Sequence, residues 1–418
     1  MTEASCSSRP AVLLAHPTGN QNVRNALRSL VEHGMLAEFW TTVAWNAASG
    51  CNRLLPAPWR AQLARRTYAE APAKLVKCIP WRELVRLGVR SSFLGKLLCS
   101  GERSFSVIGI YRHFDGHVAR HLKRIDVHAV YAYEGGALQT FREAKKRGIT
   151  TIYEQPSSYW YWVRNLLSEE AARNPEFAGL LPNLRDSRRH LEWKDEELRL
   201  ADYVFVPSEH VRRTLAGAVP DEKIRVISYG APEVRERKRL PLDPSQPLKV
   251  LFVGALSQHK GIGYLLNAVQ NLGDQVKLTL VGRRFGTNAR VDEACNRWQW
   301  FETVPHQQIL DVMMQSDVLV LPSLGEGFGL VVTEALAAGL PVVITPNVGA
   351  ADLICHGREG FIVPTSSAEA IATHLSALYH NRELLIEMSH QAQATAAERS
   401  WNVYRDNWAE AVRAVCSE

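Results

Sequence analysis

Residues 322–343 read PSLGEGFGLVVTEALAAGLPVV. Two glutamates, Glu326 and Glu334, stand eight positions apart, and Gly325, Gly327 and Gly329 surround the first. An apolar β-branched run, DVLVLPS, leads in, and PVVITP leads out. Strand, glycine loop, helix and strand form the repeating unit of a parallel α/β sheet. A helix starting near 327–329 presents unpaired N–H groups and the positive end of its dipole. Glycines there let backbone approach a phosphate closely. Glu326, free in the loop, would accept hydrogen bonds from hydroxyls. Glu334, one to two turns into the helix, would accept a second hydroxyl pair. Carboxylates are poor phosphate ligands, so the glutamates are expected to face sugar and ribose hydroxyls while amides and a lysine take a diphosphate. On spacing alone, the alternative is a helix cap at Glu326 and a surface position for Glu334.

The alternation extends in both directions. Before the stretch stand LKVLFVG, the helical KGIGYLLNAVQNLG, VKLTLVG and QQILDVMMQS. The first half repeats the pattern: AVLLAHP (11–17) reads as a strand, VRNALRSLVEHG as a helix closed by Gly34, and FWTTVAW (39–45) as a second strand. VHAVYAY (127–133), TTIYEQ (150–155) and YVFVPS (203–208) read as buried parallel strands. Helical pieces are predicted near 59–66 and 82–98. Residues 229–247 are rich in proline and charge, with neither period, and read as a linker. The expected class is α/β, with two Rossmann-like doubly wound domains facing across a cleft. The expected boundaries are 1–228, 229–398 and a closing helix at 399–418. In that helix Trp401, Tyr404 and Trp408 fall on one face.

The composition fits such a protein. The chain has 418 residues, 46% apolar and 22% charged, enough for two cores. The seven cysteines are scattered, odd in number and without a C-x-x-C pair. That excludes a disulfide framework and a zinc site, and points to a reducing cytoplasm. The opening MTEASCSSRP lacks the apolar segment of a secretory signal. Net charge is +6, and residues 53–126 hold fifteen Lys and Arg against five Asp and Glu. A region of that sign attracts anionic partners such as phospholipid head groups, or is simply a solvated face.

VLFVGALSQHKG sets Gly254 and Gly261 around a loop with Lys260 at a helix start, and LTLVGRR ends on Arg283 and Arg284. Together with the opening stretch, these segments resemble family 4 glycosyltransferases. The Glu-x7-Glu signature is residues 326–334, FVGALSQHKGIGYLLNAV resembles the family's phosphate loop, and NVGAADLICHGREGFIVP its next strand region. ADYVFVP followed by SEHVRRTL resembles the end of the family's first domain. The likeness is strong over 250–364 and weak before 201. It implies the GT-B fold, with the last helix crossing back to the first domain. It also implies a retaining enzyme with a nucleotide-sugar donor in the second domain, an acceptor in the first, and neither cofactor nor metal. By resemblance, Glu326 contacts the donor sugar, Glu334 the ribose diol and Lys260 the leaving diphosphate. The backbone of Gly327, Phe328, Gly329 and Leu330 lines sugar and phosphate. The basic 53–126 region and the aromatic run 159–162 favour a glycan or lipid-linked acceptor with peripheral contact at the inner membrane face, and no nucleic-acid partner is expected, since the chain carries no recognition motif for one.

The chain departs from the family in two places. Where many relatives have arginines in the phosphate loop, it has Ala255 and His259. Lys260 therefore needs another cation, with Arg283 the first candidate and His259 and Arg284 next. Where many relatives end a first-domain strand in histidine, it has TTIYEQPSSYW, so Glu154 or Tyr153 is expected at the cleft. Gly19 and Asn20, where the first strand meets the first helix, are placed there too, or form a plain turn, with His16 beside them. The aromatic run 159–162 is expected to pack internally, to stack on a sugar or to sit at a membrane interface. A non-catalytic nucleotide-sugar binder and a sugar-nucleotide epimerase are the alternatives.

Overall fold

The computed structural model describes residues 9–46, 55–89, 95, 98–182, 186–235, 243 and 245–417. Its first sheet contains β1 (Val12–Ala15), β2 (Leu36–Thr41), β3 (Val76–Cys78), β4 (Ala129–Tyr133), β5 (Thr150–Glu154), β6 (Tyr203–Val206) and β7 (Ile224–Val226). Their order is β3-β2-β1-β4-β5-β6-β7, every pair parallel. The second contains β8 (Leu248–Val253), β9 (Val276–Val281), β10 (Gln299–Phe301), β11 (Val318–Leu321), β12 (Val342–Ile344) and β13 (Gly360–Ile362). Their order is β10-β9-β8-β11-β12-β13, again parallel. Helices cover both faces, which is why β1 (VLLA), β4 (AVYAY) and β11 (VLVL) read as unbroken apolar runs, buried at every residue. Strand order reverses between β1 and β4 and between β8 and β11. Crevices for ligands open outside the carboxyl ends of strands at such points.

Two sequence-based expectations shift. The second strand lies at Leu36–Thr41 rather than 39–45. The chain leaves the sheet at Thr42, whose N–H bonds Pro17 O (3.1 Å), so Val43 is buried by packing and not by pairing. The helix expected at 82–98 is described as Trp81–Val89, and residues 90–94, 96 and 97 lie outside the described residues. Of the expected linker, 236–242 and 244 also lie outside them.

The chain passes between domains twice, and the two crossings lie together. Ala231 N bonds Arg399 O (2.7 Å) and Trp401 N bonds Ala231 O (3.2 Å). A Cβ on Gly230 would stand 2.5 Å from Trp401 Cα, so only glycine permits this approach. The helix Trp401–Ser417 then crosses back onto the first domain, as the resemblance implied. Ser29 Oγ donates to Arg405 O (2.6 Å), Arg405 pairs with Glu32 (2.8 Å), and Trp408 packs edge-on against Tyr131 (5.0 Å).

Candidate functional site

The carboxyl ends of β8 and β11 carry the two loops that matter. After β8, Gly254 adopts φ +152°, and a one-turn 3-10 helix follows at Gln258–Lys260. Gly261 closes it at φ +74°, where a Cβ would stand 2.0 Å from Pro322 O. Leu324 N donates to His259 O (2.9 Å). The loop after β8 and the loop after β11 are thus joined at the switch point of the sheet.

The second loop is fixed from below. Glu326 N bonds Asn347 O (2.9 Å), Gly349 N bonds Glu326 O (3.0 Å), and Asn347 Nδ2 donates to Leu324 O (2.9 Å). Gly329, at φ +86°, precedes the helix Leu330–Ala337, which has no side-chain cap. Val332 N bonds Gly329 O (2.9 Å), and the N–H groups ahead of it face the loop without a side-chain cap. Phe328 is buried with its ring 5.1 Å from that of Tyr229, and its carbonyl accepts from Ala350 N (2.7 Å). Glu326 does not cap the helix with its side chain; its carboxylate contacts the Lys260 ammonium.

The electrostatics separate these groups. Burial draws the Lys260 ammonium down to about 8, and the Glu326 carboxylate against it works in the opposite direction, holding the charged form. Burial, with Lys260 next to it, pushes His259 down to about 4. His259 is therefore neutral near pH 7 and is not the second cation. Arg283 is exposed and donates from Nε to Thr303 Oγ1 (3.2 Å). Arg284 pairs with Asp292 (2.8 Å) and lies over the Trp300 ring (4.8 Å). Glu334 is mostly buried, and burial raises its carboxyl to about 7. It lines a cavity of about 380 Å³ with Pro232, Val234, Arg235 and Leu310, and His306 Nε2 stands 3.8 Å away.

The first-domain candidates divide. Asn20 accepts from Val23 N (2.9 Å) and so caps the helix Gln21–Glu32. Gly19 lies against the Tyr68 ring, which a Cβ would approach to 2.3 Å. His16, at the end of the same strand, is buried against Tyr133, and burial lowers it to about 3. Glu154 does not face the cleft. It is 3% exposed, accepts from Tyr229 OH (2.6 Å) and from Tyr131 OH, and burial lifts its carboxyl to about 8. Trp408 Nε1 donates to Tyr131 OH (3.3 Å). Glu154 thus belongs to an internal network beneath the crossing helix. Tyr153 points to the opposite side of β5, where its OH donates to buried Glu197 (3.1 Å).

Other first-domain residues meet the second-domain loops. Ser208 Oγ donates to Gly327 O (2.7 Å), and a Cβ on Gly327 would stand 2.1 Å from Pro156 O. Ser208 also caps its own helix through Val211 N (3.2 Å), the only role that sequence could suggest. Of the aromatic run, Tyr159 and Trp160 hydrogen-bond Asp195, and Trp162 lies against Gly325. The Lys260 ammonium and the helix start can attract a diphosphate, which would compete with Glu326 for the ammonium, and the two glutamates can accept hydrogen bonds from hydroxyls.

Residues 234–396 match the family described as glycosyl transferases group 1. The matched span is most of the second domain. A D-inositol 3-phosphate glycosyltransferase of Corynebacterium glutamicum is 29% identical over 197 residues, covering 44% of this chain and 47% of that protein. The amylovoran biosynthesis glycosyltransferase AmsK of Erwinia amylovora is 30% identical over 213 residues, covering 45% and 51%. The chain spans about half the length of these curated relatives. Solved structures match nearly end to end. Anabaena HepE in complex with UDP and glucose has a TM-score of 0.63 at 17% identity, covering 97% of this chain and 100% of that one. Sucrose-phosphate synthase from Thermosynechococcus elongatus has 0.67 at 17%, covering 98% and 100%. The fold is GT-B.

Proposed function

We propose that this chain is a retaining glycosyltransferase that moves a sugar from a nucleoside diphosphate sugar to an acceptor hydroxyl, in the synthesis of a glycan, polysaccharide or glycolipid. The observation that carries the reading is the Lys260–Glu326 contact at the β8/β11 switch point, beside the uncapped start of the helix Leu330–Ala337. A half-buried ammonium held against a carboxylate is a prepared anion site once a ligand's hydroxyls engage that carboxylate. Arrival of a diphosphate would give Lys260 a stronger partner and free Glu326 for the sugar.

In the reaction the C1–O bond breaks and its electron pair stays on the leaving diphosphate. Lys260 and the loop amides stabilise that growing charge. The acceptor oxygen bonds to C1 from the face the phosphate leaves, and its proton passes to a phosphate oxygen. Glu326 holds donor-sugar hydroxyls and Glu334 the ribose diol, with Gly254, Gly327, Phe328, Gly329 and Leu330 as backbone lining. Arg283 is the remaining cation for the phosphates, given a rotation away from Thr303. No metal or cofactor enters this scheme. The first domain holds the acceptor, and the basic 53–126 region suits an anionic or lipid-linked one at the inner membrane face. Among the described residues no helix is long and apolar enough to cross a membrane.

The test is transfer from a panel of nucleotide sugars, with the anomeric configuration of the product read by NMR. Glu326→Ala should lose transfer while keeping its melting temperature, and Lys260→Ala should lose about 10²-fold or more, as for removal of a charge-stabilising group. Full activity in Glu326→Ala would refute the site. Donor binding without turnover in the wild type would favour the non-catalytic binder.

A further inference from the structure

One segment of the first domain, residues 156–180, runs along the loops after β8, β9 and β11. It begins where Pro156 meets Gly327. In the helix Trp160–Arg173, Trp162 comes next, and a Cβ on Gly325 would stand 2.8 Å from its ring. Further on, Phe177 meets Gly263 with the same closeness (2.9 Å), and Gly179 O would be 2.6 Å from a Cβ on Gly286, in the loop after β9. Glycines on the second domain thus receive the segment at four places.

At its centre lies Glu170, 1% exposed. A buried carboxylate is tolerated only where donors surround it. Gln258 Nε2 (2.7 Å) and Tyr264 OH (2.8 and 2.9 Å) hydrogen-bond it, and both belong to the second domain. From its own helix it has Arg173 Nη1 at 3.6 Å, on a side chain that is largely exposed. Glu170 is therefore satisfied only while the segment is docked. Its partner Gln258 is fully buried and opens the same one-turn helix that ends in Lys260. Gln258 Oε1 accepts in turn from Gly263 N (3.0 Å). With Leu324 N on His259 O, the turn carrying Lys260 is held from the segment, from the following helix and from the glutamate loop.

We propose that residues 156–180 form a strap and that Glu170 is a positioning residue, fixing the Lys260 turn through Gln258 and Tyr264 so that the diphosphate subsite is formed only when the strap is docked. The consequence for a nucleotide rests on the transferase reading above; the clamp itself does not.

The test has two arms. In the first, amide hydrogen exchange is measured without ligand on the whole wild-type chain, Glu170→Ala, Glu170→Gln and Tyr264→Phe. The expected result for Glu170→Ala is faster exchange in 256–266 and 160–180, with the rest of both sheets unchanged. Tyr264→Phe, which removes one donor without a cavity, should do the same to a smaller degree, and Glu170→Gln, which keeps an acceptor, should recover most protection. Unchanged protection of 256–266 in both Glu170→Ala and Tyr264→Phe would overturn the proposal. In the second arm UDP is titrated into the same proteins. Glu170→Ala should weaken UDP binding by about tenfold or more, the size of a lost hydrogen bond to a charged group. With an active donor, KM should rise more than kcat falls. Equal UDP affinity in the wild type and Glu170→Ala would overturn the positioning role. A wild type that ignores UDP and every other nucleoside diphosphate, yet loses loop protection in Glu170→Ala, would refute the transferase reading and support the clamp.

Discussion

At the scale of the residue, the carboxylate and ammonium pairings decide what the site can bind. Glu334 must be ionised to accept from a diol, and burial raises its carboxyl to about 7. Lys260 must stay protonated, and burial lowers it to about 8 while Glu326 resists that shift. Affinity for a nucleoside diphosphate should therefore rise as pH passes through about 7 and fall at or above about 8. Titration calorimetry between pH 5.5 and 9.5 should give this bell, and Glu334→Gln should flatten its acid limb while leaving the alkaline one. An unaltered acid limb in that variant would remove Glu334 from the ribose. Lys260 and Glu326 could be assigned to the loops after β8 and β11 from the sequence because each follows the carboxyl end of an apolar strand run. Glu154 was misplaced for the same reason. It does end a strand, but its side chain turns inward, where Tyr131, Tyr229 and the crossing helix enclose it. Distant residues supplied that enclosure, and no local pattern announces them.

At the scale of the element, buried parallel strands identify themselves by apolar runs, so the central strands of both sheets could be read from the sequence, whereas the three-residue strands β3, β7 and β10 are too short to show a pattern. Boundaries were less legible. FWTTVAW is aromatic or β-branched at all but one position, yet pairing stops at Thr41 because the next N–H turns to Pro17. The loops are set by close backbone approaches. Gly261 combines φ +74° with a carbonyl 2.0 Å from where a Cβ would be. Gly261→Ala should therefore cost roughly 1–3 kcal/mol from backbone strain and the forced shift of the Pro322 loop. Urea denaturation checks this, and nucleoside diphosphate affinity should fall with it. A variant as stable and as tight-binding as the wild type would contradict the joined-loop geometry. The strap was not legible. Its aromatic run reads equally well as core, sugar platform or interfacial anchor, and only the fold brings Trp162 to Gly325 and Glu170 to Gln258.

At the scale of the whole molecule, two Rossmann-like domains are tied by paired crossings and a returning helix. The buried Glu154 network lies at that junction, joining β4, β5, Tyr229 and Trp408. Its carboxyl is raised by burial to about 8 from the ordinary value of 4.5. The folded state therefore binds more protons than the unfolded chain between those values, and stability falls as pH rises through that window. The contribution is full below about 4.5 and is lost by about 8, with a slope of at most about 1.4 kcal/mol per pH unit. Glu154→Gln should abolish that dependence, gaining on the wild type in melting temperature between pH 5 and pH 8. A constant difference across that range would show that Glu154 is ionised in the fold.

The most direct measurement is calorimetric titration of the five common nucleoside diphosphates into the wild type and Lys260→Ala. The expected result is binding of at least one by the wild type, weakened about tenfold or more in the variant, as for a lost charge-assisted contact. Failure of the wild type to bind any of them, or equal binding by Lys260→Ala, would contradict a diphosphate site at the β8/β11 switch point.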